Sequence, residues 1–182
     1  NHIMRGLLQW YETVIVCDVD EFVVVDPNCG HDLRGWIEAN PRASVRTPLG
    51  LEVVHLPSTE TDEINTSILG PRRWAQLNSF YSKPCIISRK TKLSRGGHYS
   101  DYNKLDMPEG LYLLHMKYCD FDLYTETLNK RRAIIDEMGV TDLSETTTNR
   151  QWFAKNRDDV MVFREFEQRP KAADFEFSDV LQ

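Results

Sequence analysis

Three acids within four residues, set between two apolar runs, constrain this chain more than any other feature. Thr13 to Cys17 (Thr-Val-Ile-Val-Cys) is continuous and β-branched. Asp18-Val19-Asp20-Glu21 follows at once, and Phe22 to Val25 is apolar again. A short run of the first kind reads as a strand buried on both faces, as in a parallel sheet flanked by helices. A solvated turn seldom has apolar runs on both sides, so the acids read as a strand end. In open α/β sheets, ligands gather outside the carboxyl ends of the strands. Residues two apart on an extended chain point the same way, so Asp18 and Asp20 can face one cation. Two hard oxygen donors suit Mg2+ or Mn2+, which keep other positions for water and substrate phosphates.

The rest of the chain alternates strand-like and helix-like segments, which predicts an α/β domain. Asp26 to Gly30 is a turn cluster. Asp32 to Asn40 reads as a helix, with Leu33, Trp36 and Ile37 on one face, Asp32 as cap and Pro41 beyond its end. Ser44–Thr47, Leu51–Leu56, Cys85–Ser88 and Leu111–Met116 read as strands. Pro57 to Asn65 is an acidic loop, and Trp74, Phe80 and Tyr81 mark an aromatic stretch. Leu123 to Met138 is the best helix, with Tyr124, Leu128, Ile135 and Met138 on one face and Gly139 as its stop. A shorter helix is expected over Asn149 to Asn156. The 182 residues fit one domain, with a core over about 7–138 and a C-terminal helix and tail over 139–182.

Charge and composition narrow the function classes. The net charge of −6 argues against nucleic-acid binding, which needs a basic face. A phosphate-bearing small molecule stays open, because a divalent cation can bridge acids to phosphate oxygens. No run of about 18 apolar residues exists, so no transmembrane segment is expected. Asn1 to Glu12 lacks the pattern of a signal peptide. Cys17, Cys29, Cys85 and Cys119 lie far apart and read as reduced thiols of a cytoplasmic protein. Leu7, Leu8, Trp10 and Tyr11 look like the end of an amphipathic helix leading straight into a strand, so the chain reads as a piece lacking earlier residues.

Two chemistries place Asp-x-Asp after a strand. Phosphatases of haloacid-dehalogenase type use the first Asp as nucleophile and the second as acid/base. They also need an acidic pair after a later apolar strand, and here Asp158-Asp159 precedes its apolar run. Glycosyl transfer instead uses the acids to hold a metal on a donor diphosphate. A non-catalytic sugar- or partner-binding domain is the third reading.

The run Val14 to Val24, then Asp26-Pro27, resembles the metal-binding strand of family 2-like glycosyltransferases of the GT-A fold. Further segments are similar to that family in the same order: Pro48 to Val53, Ile68 to Arg73, Tyr81 to Ile86, Gly96-Gly97-His98 and Leu113 to Tyr118. The resemblance spans roughly Leu7 to Arg132. It implies a GT-A (Rossmann-like) α/β fold, a mixed sheet flanked by helices whose first nucleotide-binding strand is missing here. It also implies a UDP- or GDP-sugar donor, Mn2+ or Mg2+, and a glycan or other hydroxyl acceptor.

The resemblance suggests roles for single residues. Asp20 is the metal ligand, Asp18 binds metal or the donor's ribose, and Glu21 buttresses them. His115, ending an apolar strand, completes the metal site; its plain alternative is a core histidine. His98 touches a phosphate or the acceptor. Lys83 and Arg89, or Arg72 and Arg73, contact the diphosphate, with Lys117 and Arg131 as further candidates. Trp74, Phe80 and Tyr81 could stack on a sugar. If transfer inverts the anomeric centre, a carboxylate must take the acceptor's proton. Asp101 is the candidate base, with Glu60 and Asp62 as alternatives.

Overall fold

In the computed structural model the residues described are 1–30, 32–64, 69–139, 159–168 and 175–176. The helix expected over Asn149 to Asn156 lies outside them. In chain order the elements are α1 (His2–Leu7), β1 (Val14–Ile15), β2 (Glu21–Val25), α2 (Leu33–Ala39), β3 (Val45–Arg46), β4 (Leu49–Val54), β5 (Trp74–Leu77), β6 (Ile86–Ile87), β7 (Leu111–Tyr118), α3 (Phe121–Glu137), α4 (Asp159–Gln168) and β8 (Phe175–Glu176). Single 3-10 turns cover Pro27–Cys29 and Ser79–Tyr81.

The strands form two sheets, one of them mixed, so the chain is a mixed α/β structure. The larger sheet has the order β2-β7-β4-β5-β8, with β7 antiparallel to β2 and parallel to β4. The smaller has the order β1-β6-β3, all antiparallel. The apolar run Leu111-Tyr112-Leu113-Leu114 explains the central place of β7, because only a strand covered on both faces can bury successive residues. Leu114 and Met116 pack with Leu51, Val53 and Ala75 on one face. Leu111 and Leu113 pack with Trp36, Cys85 and Ile86 on the other, joined by Val23, Val25, Leu33 and Ile37. A third cluster of Met4, Val14, Val45 and Ile87 holds α1 to the small sheet.

Several expectations are corrected. Thr13 to Cys17 is no strand of a parallel sheet. Only Val14 and Ile15 pair, antiparallel and at an edge, and Ile15 stays 39% exposed. A two-residue partner cannot support a longer ladder, so the chain leaves the sheet and turns through Asp18 to Glu21, where the Glu21 amide donates to the Asp18 carbonyl at 3.1 Å. α1 buries Met4, while Trp10 and Tyr11 lie beyond its end and face solvent. The aromatic stretch contains an unforeseen strand, β5, paired with β4.

The helices follow their signals more closely. Asp32 caps α2 by accepting from the Gly35 amide at 2.7 Å. Asp120 caps α3 through the Leu123 amide at 2.9 Å. Gly139 follows α3 with φ 63°, the left-handed stop expected of it. Leu128 and Ile135, two turns apart, are the buried residues of α3, whereas Met138 is exposed because it lies past the helix end. α4 docks through Phe163, whose ring meets those of His55, Tyr118, Phe121 and Tyr124. No helix among the described residues is long and apolar enough to cross a membrane.

Two contacts position the loops around the large sheet. Arg72 is buried, and all three of its guanidinium nitrogens engage the chain: Nε donates to the Cys119 carbonyl (2.5 Å), Nη1 to the Asp62 carbonyl (2.9 Å) and Nη2 to Asp120 Oδ2 (2.6 Å). Gly50 lies under the Ser79–Tyr81 turn. A Cβ there would stand 2.3 Å from the Tyr81 carbonyl carbon and 2.4 Å from the Ser82 nitrogen, both backbone atoms that cannot swing aside. Gly50→Ala is therefore expected to destabilise the fold by about 1–3 kcal/mol, the usual cost of overpacking. Urea denaturation would show it as a lower midpoint, and an unchanged midpoint would contradict this account of the turn.

Candidate functional site

Glu21, His115 and Glu52 stand in one row across the large sheet. Glu21 on β2 is the register partner of His115 on β7, and Glu52 on β4 is its partner on the other side. The pleat puts all three on the face that carries Val23, Val25, Leu111 and Leu113. Each is at most 5% exposed. Burying charged side chains is unfavourable unless they are paired and hydrogen-bonded, and each of the three has a partner.

Glu21 pairs with Lys83. The Lys83 ammonium, itself 3% exposed, lies 2.7 Å from Glu21 Oε1 and 2.9 Å from Asp18 Oδ2. The Asp18 amide donates to Glu21 Oε2 at 2.9 Å, closing the turn on itself. Burial is the largest influence on the Lys83 pKa and lowers it. The hydrogen bonds to Glu21 and Asp18 outweigh it and leave the pKa raised, so the ammonium stays charged. The side chains of Asp18 and Asp20 meet different partners. Asp18 reaches towards Lys83, and Asp20 towards His115.

His115 is held on three sides. Its Nδ1 is 2.6 Å from Glu52 Oε1, its Nε2 is 3.5 Å from Asp20 Oδ2, and Tyr81 stacks on the ring at 3.7 Å with an 18° tilt. The Gly50 contact places Tyr81 there, since it lets the Ser79–Tyr81 turn lie on β4. Burial is the largest influence on the His115 pKa and pulls it down. The hydrogen bonds and charges of Asp20 and Glu52 together overcome this and raise it to about 9. The hydrogen bond from His115 lowers the Asp20 pKa, against the effect of burial. Burial pushes Glu52 above the usual carboxylate range, against its bond to His115. Asn78 supplies Glu52 with a further amide donor at 3.4 Å.

The other expected residues fall outside this row. His98 is turned back by Gly96 and Gly97, with φ of 78° and 73°. Its Nδ1 is 3.0 Å from the Phe80 carbonyl and its ring is 4.1 Å from that of Phe80, so it borders the Tyr81 turn without touching the row. Asp101 braces a separate loop, accepting at Oδ1 from Thr91 Oγ1 (2.5 Å) and the Lys92 amide (2.8 Å). Those bonds, the Thr91 hydroxyl first, lower its pKa. Glu60 is buried and accepts from the Leu56 and Arg73 amides, which closes the loop after β4. The Asp62 carbonyl serves Arg72, whose donors are spent inside the chain. Arg89 lies over the Tyr102 ring at 4.9 Å, and Lys117 over Tyr118 at 5.1 Å.

Glu52 and Tyr81 are the residues whose place in the row the sequence reading missed. Glu52 had a signal: one acid in the middle of Leu-Gly-Leu-Glu-Val-Val, where period two sends it to the face opposite Leu51 and Val53. The stacking of Tyr81 had none, since it depends on how the turn folds over Gly50.

Asp20 and His115 form a two-donor site. Nδ1–H is donated to Glu52, and in the metal-free chain Nε2–H faces Asp20; loss of the Nε2 proton would free that nitrogen as a ligand, with Glu52 as the carboxylate that orients the imidazole. Among the described residues no group of three or more His, Cys, Asp or Glu side chains is assembled to hold a metal ion. A cation here would thus have two protein donors and take the rest from water or ligand oxygens, which suits Mg2+ or Mn2+. Asp18 and Asp20 are the open side, 66% and 43% exposed at the side chain. Compared with protein-family models, curated proteins and solved structures, the chain matches none.

The imidazole provides a direct test. In metal-free buffer the His115 ring is expected to titrate near pH 9, against an ordinary 6.5. A pKa raised by folding contributes stability that is fully present below about pH 6.5 and is lost as the pH rises through about 9. Glu52→Gln should bring the midpoint down and flatten that loss. Proton NMR of the ring and thermal melts across the range would check both, and an ordinary midpoint in the folded chain would contradict the geometry.

Proposed function

We propose that this chain carries the metal-diphosphate half of a GT-A-like glycosyltransferase, which moves a sugar from a UDP- or GDP-sugar to a hydroxyl group of a glycan. The observation that carries the reading is the meeting of Asp20 with His115, whose other ring nitrogen is held by Glu52. Residues 95 positions apart in the sequence converge on the open end of a buried row, and the strands that bring them there are two that the sequence resemblance picks out. The mixed larger sheet, in which β7 is an interior strand, is compatible with an α/β domain.

The chain's own residues have definite tasks in this reading. Glu52 orients the imidazole and fixes which nitrogen faces Asp20. Lys83 neutralises Glu21 and Asp18 and holds the turn, so it supports the site from inside and is not the diphosphate contact first expected of it. Tyr81 shields one face of the imidazole from water. Among the described residues the four carboxylates Asp18, Asp20, Glu21 and Glu52 meet Lys83 and His115, with Lys117 a further charge acting on Glu52, so the site still favours another positive charge when all are ionised. A bound divalent cation would supply neutralisation of the charge that develops on a leaving diphosphate. Asp101 is not part of this reading, because its carboxylate braces the Thr91–Lys92 loop and is held in a weakly basic state.

Calorimetry tests the proposal. Mn2+ is expected to bind the chain, UDP or GDP to bind only with Mn2+ present, and both to be lost in Asp20→Ala. Glu52→Gln should weaken Mn2+ by about tenfold or more, as removal of an orienting partner does. Nucleoside diphosphate binding that ignores both the metal and Asp20→Ala would refute the site. Mn2+ binding with no nucleotide binding would leave a cation site and remove the transferase.

A further inference from the structure

The two ends of the small sheet differ in character. β1 and β6 run antiparallel, so Asp18 and Lys83 meet at one end, and at the other Thr13 meets Ser88 with their hydroxyls 2.9 Å apart. A cavity of about 710 Å3 opens at this second end, between the segment before β1, the end of α2 and the residues after β6. Arg42, Arg46, Arg89 and Lys90 line it. The acids on its walls are Glu12 and Glu38, and Glu38 is already paired with Arg34 at 2.9 Å. In a chain of net charge −6 this is a local reversal of sign.

Arg46 distinguishes the cavity from a solvated basic patch. It is only 2% exposed. Its Nη2 donates to the Asn40 carbonyl and its guanidinium lies 5.4 Å from the centre of the Trp36 ring, but among the described residues the buried Nη1 has no hydrogen-bond partner. Asp106 adds an opposite charge from the neighbouring segment. Buried polar groups nearly always have a partner, so an orphan donor beside a cavity points to an acceptor that the described residues do not supply.

We infer that this cavity is an anion site for a phosphorylated small molecule, with the phosphate drawn to Arg46 and surrounded by Arg42, Arg89 and Lys90. Guanidinium groups match tetrahedral oxyanions through paired N–H donors. With Glu38 engaged by Arg34, the cations outnumber the free acids by more than one carboxylate can balance, which favours a dianionic phosphate. Exposed Tyr11, with Leu8 and Ile37, gives apolar surface for a carbon skeleton. The volume lies within the roughly 300–1,000 Å3 usual for small-molecule sites. The inference stands apart from the Asp20–His115 pair and does not rest on the transferase reading.

Titration calorimetry of the whole chain in the presence of a chelator tests it, with inorganic phosphate, glucose 6-phosphate, glucuronate and glucose as probes. Both phosphate probes are expected to bind saturably, glucose 6-phosphate the tighter, with glucuronate weaker and glucose silent. Arg42→Ala and Arg89→Ala change exposed side chains and should each weaken phosphate binding by about tenfold, the size of one charge-assisted hydrogen bond. Arg46→Gln, checked for folding by circular dichroism, should abolish it, and Asp20→Ala should leave it intact. Absence of saturable binding by either phosphate probe, or full affinity in the Arg42→Ala and Arg89→Ala double variant, would overturn the site. Tighter binding of glucuronate would overturn its phosphate character, and loss in Asp20→Ala would place the anion at the other end of the sheet.

Discussion

Much of this structure depends on how a buried sheet face accommodates charge. Glu21, His115 and Glu52 occupy three neighbouring strands at matching register and are almost wholly buried. Such a row is tolerable only if every member has a close partner of opposite charge. That requirement accounts for Lys83 reaching in from the segment before β6, for the tight turn at Asp18, and for the contact between His115 and Asp20. The apolar part of the same face, Val23, Val25, Leu111 and Leu113, supplies the dry surroundings in which those pairs are strong.

The row also links the two sheets. Lys83 precedes β6 of the small sheet and binds Glu21 at the start of β2 in the large one. A backbone device reinforces the arrangement from above: the missing side chain of Gly50 lets the Ser79–Tyr81 turn settle on β4 and set its aromatic ring against His115. Charge pairing and close backbone approach thus serve the same small region. Arg72 plays a comparable part at the far end of β7, where it ties the loop after β4 to the α3 cap.

Two chemically distinct regions result. At the Asp18 end, carboxylates outnumber cations and an oriented imidazole faces an exposed carboxylate, which favours a metal cation. At the Thr13 end, arginines outnumber acids around a cavity, which favours an anion. A sheet of three short strands separates them, so the acidic chain as a whole presents opposite local fields at its two ends.

Local pattern alone determined a good deal. The cap Asp32 and the stop at Gly139 were legible because capping depends on neighbours a few residues away. The importance of Asp18 to Glu21 was legible because acids set between apolar runs are unfavourable without a compensating structure. Leu111 to Met116 read as a buried strand because most of its side chains are large and apolar. What local pattern could not decide was pairing. Val14 and Ile15 have the composition of a central parallel strand, yet the partner available is two residues long, and they became an antiparallel edge. Asp18 and Asp20 share a strand-like period in the sequence, but they lie in a turn, and their side-chain partners are Lys83 and His115. Glu52, Tyr81 and Arg46 gained their roles only from register, from a turn folded over a glycine, and from a cavity between distant segments. Those are long-range contacts, and no spacing along the chain encodes them.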